Sequence, residues 1–218
     1  MKKIITRVLA LCLAVMMLMT CASAAYNARQ INQADALNYL SLFLGTGKGY
    51  SLEAPLNRSQ SITLILRMLG EAAEAEKGGY QHPFKDVPQW ADKYVAYAYE
   101  KGYTNGYTAT SFKPAGAVNA YQYTEFVLRA MGYSSAANKD LSDTLLRAMN
   151  AGVLTDGDAA MLQSAAFLRA QLVYISYYAL EADLPDGSQS LADRLMDLGV
   201  FTRDEWLGSW KLVKSDRL

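Results

Sequence analysis

Two arginines in this chain stand where a helix favours an acid. Arg58 follows Asn57, Arg169 follows Leu168, and each opens an apolar run of helical period. The helix dipole places partial positive charge at that end, so a guanidinium is unfavourable there until something negative arrives. A carboxylate ligand meets that need, because free first-turn amides attract anions and guanidinium grips a carboxylate through two parallel hydrogen bonds. The alternative is internal: each arginine pairs with an acidic side chain such as Glu53 or Asp86. The chemistry on offer is the holding of an anion.

Catalysis has little to draw on. His82 is the single histidine, so a multi-histidine zinc site is excluded and a Ser-His-Asp arrangement would rest on that one residue. No Gly-rich phosphate loop of standard type is present. Asp86, Asp92, Glu100 and Glu125 suffice in number for two-carboxylate hydrolysis, yet they fall at cap or helical-face positions where a solvated structural role is the ordinary one. No catalytic residue, metal or cofactor is assigned, and a non-enzyme is expected.

The elements that position the arginines are helices. Asn57-Arg58-Ser59-Gln60 and Asn119-Ala120-Tyr121-Gln122 share the form Asn-x-x-Gln, in which Asn accepts a first-turn amide and Gln reaches back to the amide of the cap. Leu168-Arg169-Ala170-Gln171 keeps the Arg and the Gln without the cap, so its first turn is expected to fray and to hold its guanidinium less firmly. Ile62, Ile65, Leu66 and Leu69 make one apolar face, with Val127, Leu128 and Met131 in the equivalent places. Leu66-Arg67-Met68-Leu69-Gly70 reappears as Leu128-Arg129-Ala130-Met131-Gly132, and both glycines read as helix C-caps.

A second kind of unit lies between these helices. It runs from Pro83-Phe84-Lys85-Asp86-Val87-Pro88-Gln89-Trp90 through Ala98 to Gly102, with Asp86 and Pro88 as helix-start residues and Gly102 as a stop. Ala148 to Val153 echoes it, and a reduced version spans Ala34 to Gly45. Short helix, Gly-rich turn and long helix thus recur three times, with no sustained strand: the fold class is all-α, in helix-turn-helix repeats.

The first residues set the compartment. Lys2, Lys3 and Arg7 precede an apolar stretch from Val8 to Thr20, and Ala22-Ser23-Ala24 offers a cleavage site, the pattern of a secretory signal over residues 1–24. A lipoprotein signal modified at Cys21 is the competing reading, with Thr20 against it. Conventional cleavage before Ala25 removes both cysteines, Cys12 and Cys21, leaving no disulfide and no thiolate ligand. The apolar stretch is shorter than the roughly 20 residues of a spanning helix, so no membrane span is expected in the mature chain. Loss of the three leader cations from a balance of 21 basic and 21 acidic residues leaves an acidic excess, which excludes nucleic acid as a partner.

Phe84, Asp86, Val87, Trp90, Ala91, Gly102, Gly106, Phe112 and Pro114, in that order and spacing, resemble the S-layer homology family, whose repeat reads Phe-x-Asp-Val, Trp-Ala, a Gly-aliphatic-x-x-Gly turn, Phe-x-Pro and Thr-Arg-Ala-Glu. The resemblance implies repeats at 25–80, 81–135 and 136–185, the last degenerate, followed by a short helical segment at 186–218 with no room for a separate cargo domain. It implies a pseudo-threefold arrangement of long helices in a central three-helix bundle, with ligand grooves between neighbouring repeats. It further implies export to a bacterial cell wall or surface and non-covalent attachment to a secondary wall polysaccharide, acidic or pyruvylated. The alternative is an envelope protein-interaction or assembly scaffold that has lost sugar binding.

Carried onto this chain, the ligand-binding candidates are Asn57, Arg58, Gln60, Asp86, Trp90, Gly106, Asn119, Gln122 and Arg169. Several have a plainer reading beside the functional one. Asp86 is a helix cap or a ligand contact, Trp90 a core indole or a sugar platform, Gly106 a turn or a close ligand approach. Tyr121 and Tyr123 are expected exposed, as sugar contacts or half-buried between repeats. Ala120 stands where the family carries Arg, and all three motif-final Glu residues are Gln. Arg58, alone in combining the arginine with a full capping box, is expected to dominate binding, and Ala120→Arg to be the change that gains it.

Overall fold

The structure is a computed structural model and describes residues 30–45, 49–134, 140–164, 166–214 and 217. The leader over 1–24, both cysteines and the cleavage point lie outside the described residues. The chain is all-α: α1 (30–39), α2 (Arg58–Met68), α3 (Ala72–Lys77), α4 (Gln89–Glu100), α5 (Ala120–Ala130), α6 (Thr144–Asn150), α7 (Asp156–Ser164), α8 (Arg169–Glu181), α9 (Leu191–Asp197) and α10 (Arg203–Trp210). Among the described residues there is no strand, only isolated bridges at Asn57–Ala117 and Asp183–Ser190.

The short helices α1, α4 and α6 end in the same turn. Leu42 and Phe43 donate their amides to the Leu37 carbonyl, Tyr103 and Thr104 to that of Ala98, and Val153 and Leu154 to that of Ala148. Just ahead of each pair stands a residue of positive φ: Ser41 at 60°, Gly102 at 77° and Gly152 at 72°. A serine in that conformation is uncommon, which is why the first turn is the hardest of the three to read from glycines.

The long helices α2, α5 and α8 carry most of the core. Asn57 and Asn119 form the expected capping boxes with Gln60 and Gln122, and Gly70 and Gly132 take positive φ at the C-terminal ends of α2 and α5. In α8 the box is half-formed, since leucine has no side-chain acceptor and only the Leu168 amide is taken, by Gln171 Oε1 at 2.8 Å. The first turn nevertheless does not fray. Arg169 and Ala170 donate their amides to the carbonyls of Ala54 and Leu52 at 2.9 and 3.0 Å, just as Arg58 and Ser59 donate to Gly116 and Pro114 at 3.0 and 3.2 Å. The orphan donors of a helix start are thus satisfied by the loop ahead of another long helix, and that exchange fixes one long helix against the next.

One continuous apolar cluster runs from Ala34 to Trp206 through all three long helices. Tyr123, expected at the surface, is wholly buried; its hydroxyl lies 2.6 Å from Ser176 Oγ and its ring 5.8 Å from Phe167, joining α5 to α8. Asp86 is likewise not a helix cap. Pro88 precedes α4 with no side-chain cap, and the Asp86 carboxylate turns instead to the loop at 111–113. Between α6 and α8 stands an element absent from the expected plan: α7, opened by a Thr155/Asp158 box (Thr155 amide to Asp158 Oδ2, 2.8 Å; Asp158 amide to Thr155 Oγ1, 3.1 Å).

Candidate functional site

Two grooves in the fold are floored by the two arginines. In the first, Arg58 is 5 % exposed, donates Nε–H to the Phe112 carbonyl at 2.8 Å, and lies over the rings of Phe112 and Phe126 at 4.9 and 5.2 Å. The groove encloses about 160 Å³ between Arg58, Gly106, Tyr107, Gln122, Glu125 and Arg129. In the second, Arg169 donates Nε–H to the Tyr50 carbonyl at 3.0 Å and lies 5.1 Å over the Phe43 ring. This groove, also of about 160 Å³, lies between Arg169, Gln60, Thr63, Leu64, Arg67 and Trp90.

The grooves have one design. Gln60, Thr63, Leu64 and Arg67 on α2 occupy the helical positions that Gln122, Glu125, Phe126 and Arg129 occupy on α5. Each groove is therefore an arginine at the start of one long helix, facing the Gln-to-Arg stripe of another. Among the described residues no carboxylate lies within ion-pair distance of Arg58, Arg67 or Arg169. The internal pairing with Glu53 or Asp86 is not formed.

Electrostatics separate the two. Burial, with repulsion from Arg129, pulls Arg58 down to about 10; burial, with repulsion from Arg67, lowers Arg169. Both remain cations at neutral pH, held at a cost that an incoming anion relieves. In the Arg58 groove the stripe includes Glu125, which bonds Arg129 Nε and Arg147 Nη1 at 2.7 Å each. The Arg169 groove has Thr63 at that position and no acid in its lining.

The middle repeat's motif residues converge on the Arg58 groove. Asp86 accepts Ser111 Oγ–H at 2.6 Å and the amides of Phe112 and Lys113 at 2.8 and 3.0 Å. Phe84 packs on Phe112 with centroids 5.7 Å apart. Gly106 has φ 76°, and a Cβ there would stand 2.2 Å from Phe84 Cε1, so the glycine is required by turn and by space alike. Asp86 touches neither groove; it fixes the loop whose carbonyl fixes Arg58. Trp90 goes elsewhere: 54 % exposed, it lines the Arg169 groove and is not a core residue.

The remaining candidates divide in the same way. Gln122 reaches the Arg58 groove and Gln60 the Arg169 groove, while Asn57 and Asn119 act as caps behind them. Sequence reasoning missed Arg67 and Arg129. Their signal was present in the repeated Leu-Arg-x-hydrophobic-Gly ends of the two helices, read there only as a C-terminal motif.

The described residues form a helical module with two grooves, each presenting a guanidinium. Residues 83–119 match the family model of the S-layer homology domain. The chain is 27% identical over 214 residues to the cell surface protein of Thermoanaerobacter kivui, an alignment covering 77% of this chain and 27% of that protein. It is 28% identical over 149 residues to the middle cell wall protein of Brevibacillus brevis, covering 61% of this chain and 14% of that protein. The chain thus spans about a quarter or less of the length of these relatives. Over residues 83–119 the chain is thus similar to the S-layer homology domain, and beyond them to proteins of the bacterial cell surface and cell wall.

Proposed function

We propose that this chain attaches non-covalently to an acidic secondary polysaccharide of the bacterial cell wall, without catalysis, through the Arg58 and Arg169 grooves. The observation that carries the reading is the pair of buried or half-buried guanidiniums, each fixed at Nε by a carbonyl and backed by a ring, with no carboxylate partner among the described residues. With Nε committed, the two terminal nitrogens of each guanidinium remain for a sugar carboxylate, such as a pyruvyl ketal. We further read the chain as three repeats in pseudo-threefold arrangement, with the junction at Ala120 lacking a groove arginine.

The Arg169 groove is the stronger of the two in this reading. It has two arginines, no acid, and Trp90 as a platform for a sugar ring, whereas Glu125 takes up part of the positive field in the other. This reverses the sequence expectation that Arg58 dominates, because Trp90 sits on the opposite side of the repeat from its motif partners Phe84 and Asp86.

Sedimentation with purified wall, before and after chemical extraction of its secondary polymer, tests the proposal. Binding is expected to vanish on extraction and in Arg58→Ala/Arg169→Ala. A folded double variant that binds as the parent does would overturn it and favour the scaffold reading.

A further inference from the structure

A further cavity lies at the C-terminal end of the fold, beyond the matched residues 83–119. It encloses about 490 Å³ where the end of α8 meets α9 and α10, within the roughly 300–1,000 Å³ typical of small-molecule sites. Its apolar wall is aromatic. Trp206, 7 % exposed, is fixed between Phe201 at 6.0 Å and Tyr177 at 6.2 Å. Trp210 stands edge-on to it at 5.7 Å and 67°, and is 49 % exposed. One indole is thus held rigidly and a second offers its surface to solvent.

The polar wall is mainly acidic: Glu181, Asp193 and Arg203. Asp193 Oδ2 is fixed by the Ser190 hydroxyl at 2.7 Å and by the Ser190 amide. Its orientation is set by a cap and requires no ligand. Two carboxylates against one guanidinium repel a polyanion, so this cavity does not repeat the arginine grooves. Aromatic surface beside fixed carboxylate oxygens and a guanidinium matches a pyranose ring, which presents a C–H face for stacking and hydroxyls that both donate and accept.

We infer that the cavity between α8, α9 and α10 is a second saccharide site, for uncharged pyranose units, with Trp210 as the stacking platform and Glu181, Asp193 and Arg203 as hydroxyl partners. The site is separate from the anion grooves and stands or falls without them. Its occupant is a neutral glycan.

Indole N–H signals in NMR distinguish the sites, since the sequence has three tryptophans, of which Trp90 lines the Arg169 groove. Cellotetraose and the N-acetylglucosamine tetramer serve as neutral probes, and a tetragalacturonate as the acidic one, titrated into the Arg58→Ala/Arg169→Ala protein. A neutral probe is expected to shift Trp206 and Trp210 saturably and to leave Trp90 in place. Trp210→Ala is expected to weaken that binding tenfold or more, and Trp210→Phe to retain part of it. The inference is overturned if neither neutral probe moves Trp206 or Trp210 at tens of millimolar. It is overturned equally if Trp210→Ala stays folded and binds as the parent does, or if the acidic probe shifts these indoles as strongly as the neutral ones.

Discussion

The Asp86 carboxylate accepts the Phe112 amide at 2.8 Å across 26 residues of sequence, and the carbonyl of that same Phe112 accepts Arg58 Nε–H at 2.8 Å. The acid therefore shapes the Arg58 groove without entering it. Asp86→Ala should loosen the 111–113 loop, lowering stability by about 1–3 kcal/mol through three lost charge-assisted bonds, and should weaken binding in the Arg58 groove while sparing the Arg169 groove. Comparing the variant in Arg58→Ala and Arg169→Ala backgrounds checks the split. Equal losses in both would show a general loss of folding instead.

The same carboxylate sets an acid limit. Desolvation pushes the Asp86 carboxyl up, but the bonds donated by Ser111, Phe112 and Lys113 outweigh it and hold the group below its ordinary value. A carboxyl lowered on folding stabilises the fold above its unfolded value, near 4, and loses that contribution as pH falls through the folded value. Thermal midpoints should therefore respond to Asp86→Asn at pH 7 and converge with the parent as pH falls through the folded value. A difference that stays the same across the acid range would contradict this.

Gly106→Ala should be among the most damaging single-methyl changes in the chain. The residue has φ 76° and its new Cβ would stand 2.2 Å from Phe84 Cε1, so left-handed backbone strain of about 1–2 kcal/mol adds to overpacking of about 1–3 kcal/mol. Denaturant unfolding gives the sum directly. Phe84→Leu in the same chain should relieve part of the clash but none of the backbone strain.

Glu125 links α5 to α6 through Arg147 and also pairs with Arg129 on its own helix, and its side chain is 2% exposed. Glu125→Gln keeps an acceptor oxygen but leaves two cations without their countercharge, at a cost of about 3 kcal/mol. The freed charge faces the Arg58 groove, so affinity for acidic oligosaccharides should rise, with a steeper salt dependence. Lower stability with unchanged affinity would place the Glu125 field outside the binding path.

The fold was legible from the sequence because its signals are local. Caps fix the starts of α2 and α5, and apolar periodicity and Gly stops mark α2, α4 and α5 within their own segments. The site was legible only in part, because its contacts pass between repeats. Trp90 belongs to the same motif as Phe84 and Asp86 yet serves the other groove. Arg169 is held by Tyr50 across 119 residues of sequence, a bond that no cap pattern at Leu168 reports. Helix α7 did carry a local signal, Thr155-x-x-Asp158, but it lies where the segments ahead of α2 and α5 are loops.

That helix decides the fate of the third junction. The arginine acceptors Phe112 and Tyr50 each lie seven residues ahead of a long-helix cap, Asn119 and Asn57, and the matching position ahead of Leu168 is Met161. Met161 lies within α7, and its carbonyl accepts Ser164 Oγ–H at 3.1 Å. The position matching Arg67 and Arg129 is Tyr178, already covered by the Arg217 guanidinium 4.1 Å above its ring. Arginine at 120 would thus meet a committed carbonyl and a neighbouring cation, in a site where alanine is 3 % exposed. Ala120→Arg is expected to cost at least the 1–3 kcal/mol or so of an overpacked core and to add nothing to wall binding, against the expectation from the repeat pattern alone. Binding isotherms beside thermal midpoints decide it. A variant that melts with the parent and binds acidic polymer more tightly would mean that the third junction opens as the other two do.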